Sequence, residues 1–102
     1  MGVQAVPTTI SVSHRRGAVL VAVRGELGHA TVGRFNNALD VADGEPVYVD
    51  LAEATVIDSE GINALLHAHN AGTPLRVTCA SRTVTSVLKR AGIYTLFCDN
   101  DN

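Results

Sequence analysis

The sequence predicts an α/β domain built on a mixed β-sheet, and three observations predict it. Apolar runs of strand length alternate with segments whose apolar residues recur at helical spacing. Glycine and proline fall at the boundaries between them. The first two runs, joined by a short Arg15-Arg16-Gly17 turn, read as a hairpin. The predicted order is β-β-α-β-α-β-α-β, with parallel pairing and right-handed crossovers after the hairpin. The 102 residues suit one domain, taken as 1–102 with its core over about 9–98.

Each element has its own signal. Thr9 to Ser13 alternates Ile10 and Val12 with polar neighbours, and Ala18 to Val23 is a continuous apolar run suited to a central strand. Gly25 to Gly28 interrupts the pattern. Val32, Phe35, Leu39 and Ala42 then mark a helix from about Ala30 to Ala42, stopped by Asp43-Gly44-Glu45-Pro46. Val47 to Leu51 reads as the third strand. Ser59 to Ala71 reads as the second helix, with Ile62, Leu65, Leu66 and His69 inward and Glu60, Asn63, His67 and Asn70 outward. Gly72 and Pro74 end it. Leu75, Val77 and Cys79 mark a fourth strand, and Ser81 caps a third helix carrying Val84, Val87, Leu88 and Ala91. Ile93 to Cys98 is expected as a fifth strand, with Asp99 to Asn102 frayed.

Composition narrows the function. Apolar residues make up 46% and charged residues 18% of the chain, which places it among globular proteins. With four aromatics, the core must be built from Val, Leu, Ile and Ala. A chain this small has too little volume to enclose a deep substrate pocket readily. A net charge of -2 argues against nucleic acid, and the pairs Arg15-Arg16 and Lys89-Arg90 read as solvated surface. No apolar run approaches the roughly 20 residues of a membrane span. Met1 to Pro7 lacks signal-peptide features, so a cytoplasmic location is expected. Cys79 and Cys98 read as two buried thiols rather than a bridge.

Candidate chemistry is sparse. His67 and His69 would lie about 200° apart around a helix and cannot grip one ion, and neither His14 nor His29 has a matched carboxylate spacing. No metal site is expected. Ser59 has Gly61 two residues later, but Ile57 stands where a hydrolase elbow needs glycine. Gly25 and Gly28 form no phosphate-binding loop, so no cofactor is expected. What remains is Asp58-Ser59-Glu60-Gly61 at the junction of an apolar stretch and an amphipathic helix. Helix capping by Asp58 or Ser59 accounts for it physically; its position is also the rim where α/β folds place their sites.

The same residues carry a resemblance. Asp58-Ser59-Glu60-Gly61 resembles the D-S-x-G signature of the STAS domain family of anti-sigma factor antagonists. Val47 to Leu51 resembles the family's strand ending in Asp-Leu, Gly25-Glu26-Leu27 its G-E-L turn, and Ser81 to Gly92 its last helix. The resemblance spans about residues 9 to 98. It implies a STAS-like domain that is not an enzyme and has no catalytic residue of its own. It implies binding to an anti-sigma factor with serine-kinase activity, which releases the sigma factor. Phosphorylation of Ser59 by that kinase would block binding, and a serine phosphatase would restore it. The implied partner surface is Asp58, Ser59, Glu60, Gly61, Asn63 and His67, with Glu26 and His29 beside it, on a monomer or weak dimer. The alternative within the resemblance is an unphosphorylated STAS subunit regulating a membrane transporter; a small hydrolase using Ser59 is the rival outside it. Gly28 stands where the family commonly has Asp, Glu60 where it has a small residue, and no long C-terminal helix is expected.

Overall fold

The computed structural model describes residues 8–42 and 44–98. Asp43, the start Met1–Pro7 and the expected fraying of Asp99–Asn102 lie outside them. The elements are β1 (Thr9–Arg15), β2 (Ala18–Leu27), α1 (Val32–Ala42), β3 (Val47–Ile57), α2 (Ser59–Asn70), β4 (Leu75–Ala80), α3 (Arg82–Arg90) and a single helical turn, α4 (Tyr94–Phe97). The four strands lie in the order β1-β2-β3-β4. β1 is antiparallel to β2 through a two-residue turn, Arg16-Gly17, whose residues both have positive φ as a type I′ hairpin requires. β2, β3 and β4 are parallel, as strand–helix–strand alternation predicts.

One sheet face is the core. Val19, Val21 and Val23 of β2 lie beside Val47 and Val49 of β3 and Val77 of β4, all buried. α1 covers β1 and β2, α2 lies beside α1 over β3 and β4, and α3 covers β3 and β4. Phe35 from α1, Leu65 from α2, Val84 and Leu88 from α3, and Phe97 from α4 fill the layer between. The opposite face carries Leu20, Tyr48, Arg24 and Glu53, and its one ion pair among the described residues, Arg24 Nε to Glu53 Oε1 at 2.6 Å, is solvent-exposed.

Bulges explain where the sequence pattern and the structure part. Between Ala22 and Arg24, and again between Gly25 and Glu26, β3 spends one more residue than β2. Each extra residue changes the buried spacing from two to three, so Leu51, Ala54 and Ile57 face the core. Strict alternation predicts a strand ending at Leu51; the bulged strand continues to Ile57 and delivers Asp58 to the sheet's end. β4 has its own extra residue opposite Val49 and Asp50, which places Cys79 opposite Asp50. Cys79 is therefore exposed, not buried as its alternation with Leu75 and Val77 suggests, while Cys98 is half-buried.

Three further expectations need correction. The fifth strand is the helical turn α4. Its apolar residues at 93, 94, 96, 97 and 98 fit a helical turn as well as a strand, and so short a run does not separate the two. The chain turns back after α3 through Gly92 N–H to Lys89 O and Ile93 N–H to Leu88 O, and Phe97 plugs the core. In α2 the buried residues are Gly61, Ala64, Leu65 and Ala68, with Ile62 and Leu66 only half-buried. Small side chains let the helix approach closely on that side, so the inward face is rotated away from the larger residues. His69 is exposed, though its ring meets Phe97 edge-on at 5.7 Å.

Two outcomes test this register. Native-state labelling with a thiol reagent should modify Cys79 well before Cys98, whose thiol burial pushes to a higher pKa; the reverse order would contradict the β4 bulge. Leu65→Ala should cost about 2–5 kcal/mol in denaturant unfolding, as for a fully buried leucine.

Candidate functional site

The site lies where the ends of β2 and β3 meet the start of α2. Asp58 has an extended backbone and is the α2 N-cap. Its Oδ1 accepts the Glu60 N–H at 2.9 Å and the Gly61 N–H at 3.2 Å, while Oδ2 accepts the His29 N–H at 3.2 Å. One carboxylate thus ties α2 to the turn that follows β2. Desolvation pushes this acid upward, but the N–H groups of Gly61, His29 and Glu60 and the nearby His29 outweigh it and hold Asp58 below its ordinary 3.8.

Two glycines make the approach possible. A Cβ at Gly28 would lie 2.6 Å from Asp58 Oδ2, so the carboxylate occupies the space a side chain would need. A Cβ at Gly61 would lie 2.6 Å from the Leu27 carbonyl oxygen and 2.8 Å from Ile57 Cγ1. Gly61 therefore lets the first turn of α2 rest on the end of β2. The preceding turn is held by hydroxyls: Thr31 Oγ1 accepts the Gly28 N–H at 3.0 Å and donates to the Glu26 carbonyl at 2.9 Å, and Thr8 Oγ1 donates to the same carbonyl at 3.0 Å. Sequence reasoning left Thr31 out of the site; a threonine immediately before the first apolar residue of α1 was the signal.

Ser59 is the first residue of α2 and is exposed, and its hydroxyl makes no hydrogen bond to a described residue. Glu60, Asn63 and His67 follow on one exposed stripe of the helix, with Glu26 and His29 exposed on the neighbouring turn. The structure brings all of these to one rim. Gly61 is the exception, buried beneath it. Glu60 and Asp58 suit the positive end of the helix dipole. Asp58 is committed to backbone N–H groups, and no hydrogen bond joins the Ser59 hydroxyl to a base among the described residues. Among the described residues no cluster of His, Cys, Asp and Glu could hold a metal ion, and no helix is long and apolar enough to cross a membrane.

Asp58→Ala should lower stability by about 1 kcal/mol at pH 7, the usual size of a lost N-cap, whereas Asp58→Asn keeps a capping oxygen and loses the charge and the bond that Oδ2 accepts from the His29 N–H. The sign with pH follows from the depressed pKa. The native carboxylate stabilises the fold above the ordinary 3.8, and that contribution disappears as the pH falls through the lower native value. Unfolding curves for the wild type and Asp58→Asn should therefore converge at low pH, and a constant difference down to pH 2 would count against the clasp.

Comparisons with known proteins agree with this architecture. No curated protein matches the sequence. The chain is similar in structure to an anti-sigma factor antagonist from Mycobacterium paratuberculosis, at 22% identity and TM-score 0.79, covering 92% of this chain and 87% of that one. It is also similar to the anti-sigma factor antagonist SpoIIAA in its unphosphorylated form, at 19% identity, TM-score 0.66 and coverage of 83% and 82%. A third similar structure is an uncharacterized Shewanella loihica protein with a SpoIIAA-like fold, at 14% identity, TM-score 0.61 and coverage of 91% and 84%. At these identities the likeness establishes the fold. The family described as Mlab, STAS domain matches residues 10–97, so the chain belongs to the STAS domain family.

Proposed function

We propose that this chain is a cytoplasmic anti-sigma factor antagonist, a binding module rather than an enzyme. In this reading it binds an anti-sigma factor with serine-kinase activity, frees the sigma factor, and is switched off when that kinase phosphorylates Ser59. A serine phosphatase resets it, and the chain works as a monomer or weak dimer. The observation that carries the reading is the free Ser59 hydroxyl on the exposed first turn of α2, beside an Asp58 fully occupied in holding that turn. Similarity to two anti-sigma factor antagonist structures supports it.

The physics of the switch is local. A phosphate adds about -1.5 to -2 charge and three acceptor oxygens at a helix N-terminus, which tolerates negative charge. The fold therefore has no reason to change. A partner fitted closely to a neutral hydroxyl meets added bulk and added charge beside Asp58 and Glu60. Binding is lost without refolding.

Incubation with the source organism's anti-sigma kinase and ATP should modify Ser59 alone, by phosphopeptide mapping. Ser59→Asp and Ser59→Glu should fold normally by circular dichroism yet bind that kinase about 100-fold more weakly, while Ser59→Ala should bind and resist inactivation. Asn63→Ala should weaken binding with the melting temperature within about 2 °C of wild type. Undiminished binding by both acidic variants would remove Ser59 as the switch and favour an unphosphorylated transporter-subunit role.

A further inference from the structure

Alongside the rim, α1 and α2 enclose a groove that shares Glu60, Asn63 and His67 with it and runs on to α1. Two adjoining hollows of about 330 Å³ each share Asn36, Ala64 and His67 as lining residues. One begins at Glu60 and Asn63, beside Ser59. The other runs on past His67 to Leu39 and Asp40 on α1. His67 lies eight residues beyond Ser59, so the groove leaves the switch by roughly 12 Å along the helix axis before it reaches Asp40. Val32, Leu39, Ala64 and Ala68 give it an apolar floor, and no lysine or arginine lines either hollow.

Asp40 is placed against the interest of its own helix. It lies in the last turn and a half of α1, where the macrodipole disfavours a negative charge, and that helix has no basic residue in its last turn. Among the described residues no cation pairs with it. α1 would be steadier with a neutral or positive residue there. With Glu60 at one end, Asp40 at the other and no lysine or arginine between, the groove is complementary to a positive charge supplied from outside.

We propose that the α1–α2 groove docks a lysine- or arginine-bearing segment of the protein that reads Ser59, with Asp40 as its electrostatic anchor. The proposal rests on the anti-sigma reading above and extends the interface from the phosphorylatable rim onto α1. It separates two tasks. Asp40 attracts and orients the partner at a distance from the switch, and Ser59 decides whether the near end can close.

The test uses the full chain and the source organism's anti-sigma kinase, with wild type, Asp40→Lys, Asp40→Asn and Ser59→Asp titrated at low and moderate salt. Asp40→Lys should bind about tenfold more weakly than wild type with a smaller salt dependence. Its melting temperature should rise by roughly 2–6 °C, because the helix end gains a favourable charge. A purely structural role for Asp40 would lower stability and binding together. Asp40→Asn, which removes the charge without adding one, should bind more weakly and flatten the salt dependence. Wild-type affinity and salt dependence in that variant, alongside impaired Ser59→Asp, overturn the groove proposal and leave the switch standing. Wild-type binding by every variant overturns both.

Discussion

The close approach of α2 to the end of β2 is the constraint on which the site depends. It exists because two positions lack a side chain. Gly61 lets the helix rest on the Leu27 carbonyl, and Gly28 leaves room for the Asp58 carboxylate. Asp58 then accepts N–H groups from its own helix and from the turn across the gap, joining two chain segments that belong to different crossovers. A larger residue at either glycine would push the segments apart and leave the carboxylate short of a partner. The exposed rim is thus fixed from below by packing, while the side chains that face solvent remain free of structural duty.

That division accounts for the site's electrostatics. Glu26, Asp58 and Glu60 gather at one end of the molecule, yet the three do not behave alike. Asp58 spends its charge on backbone donors, whereas Glu26 and Glu60 present theirs to solvent. Ser59 sits among them as a neutral group on a rigid support. A change of charge there is felt by whatever approaches the rim far more than by the fold, since the helix terminus already favours negative charge.

Much of this was legible in the sequence, for identifiable reasons. Val19 to Val23 is an uninterrupted apolar run, Val47 to Leu51 alternates Val47, Val49 and Leu51 inward, and Ser81 caps α3 by accepting the Val84 N–H, as its position predicts. Asp58 could be found because an acid just before an amphipathic helix is a favoured N-cap, and Gly61 because it completes the D-S-x-G resemblance. What could not be read were events that depend on a neighbouring strand. The extra residues in β3 and β4 alter which side chains face inward, and only pairing reveals them. Cys79 was misplaced for that reason. The inward face of α2 was misjudged because Ala64 and Ala68 carry little apolar weight in a pattern, though their smallness is what brings the helix close. The anchor of the α1–α2 groove was invisible for a third reason: Asp40 and His67 are far apart in the chain.

The bulge in β4 has a consequence for the molecule's behaviour in a crowded solution. β4 is an outer strand of the sheet, and among the described residues no strand pairs with its outer edge, which offers backbone donors and acceptors to any passing extended chain. A stranger adding there needs a regular ladder. The extra residue near Thr78 breaks that regularity midway along a strand of six residues, and Thr78 Oγ1 turns back to the Val49 carbonyl. The same irregularity that exposes Cys79 therefore shortens the stretch on which fibril-like stacking could begin.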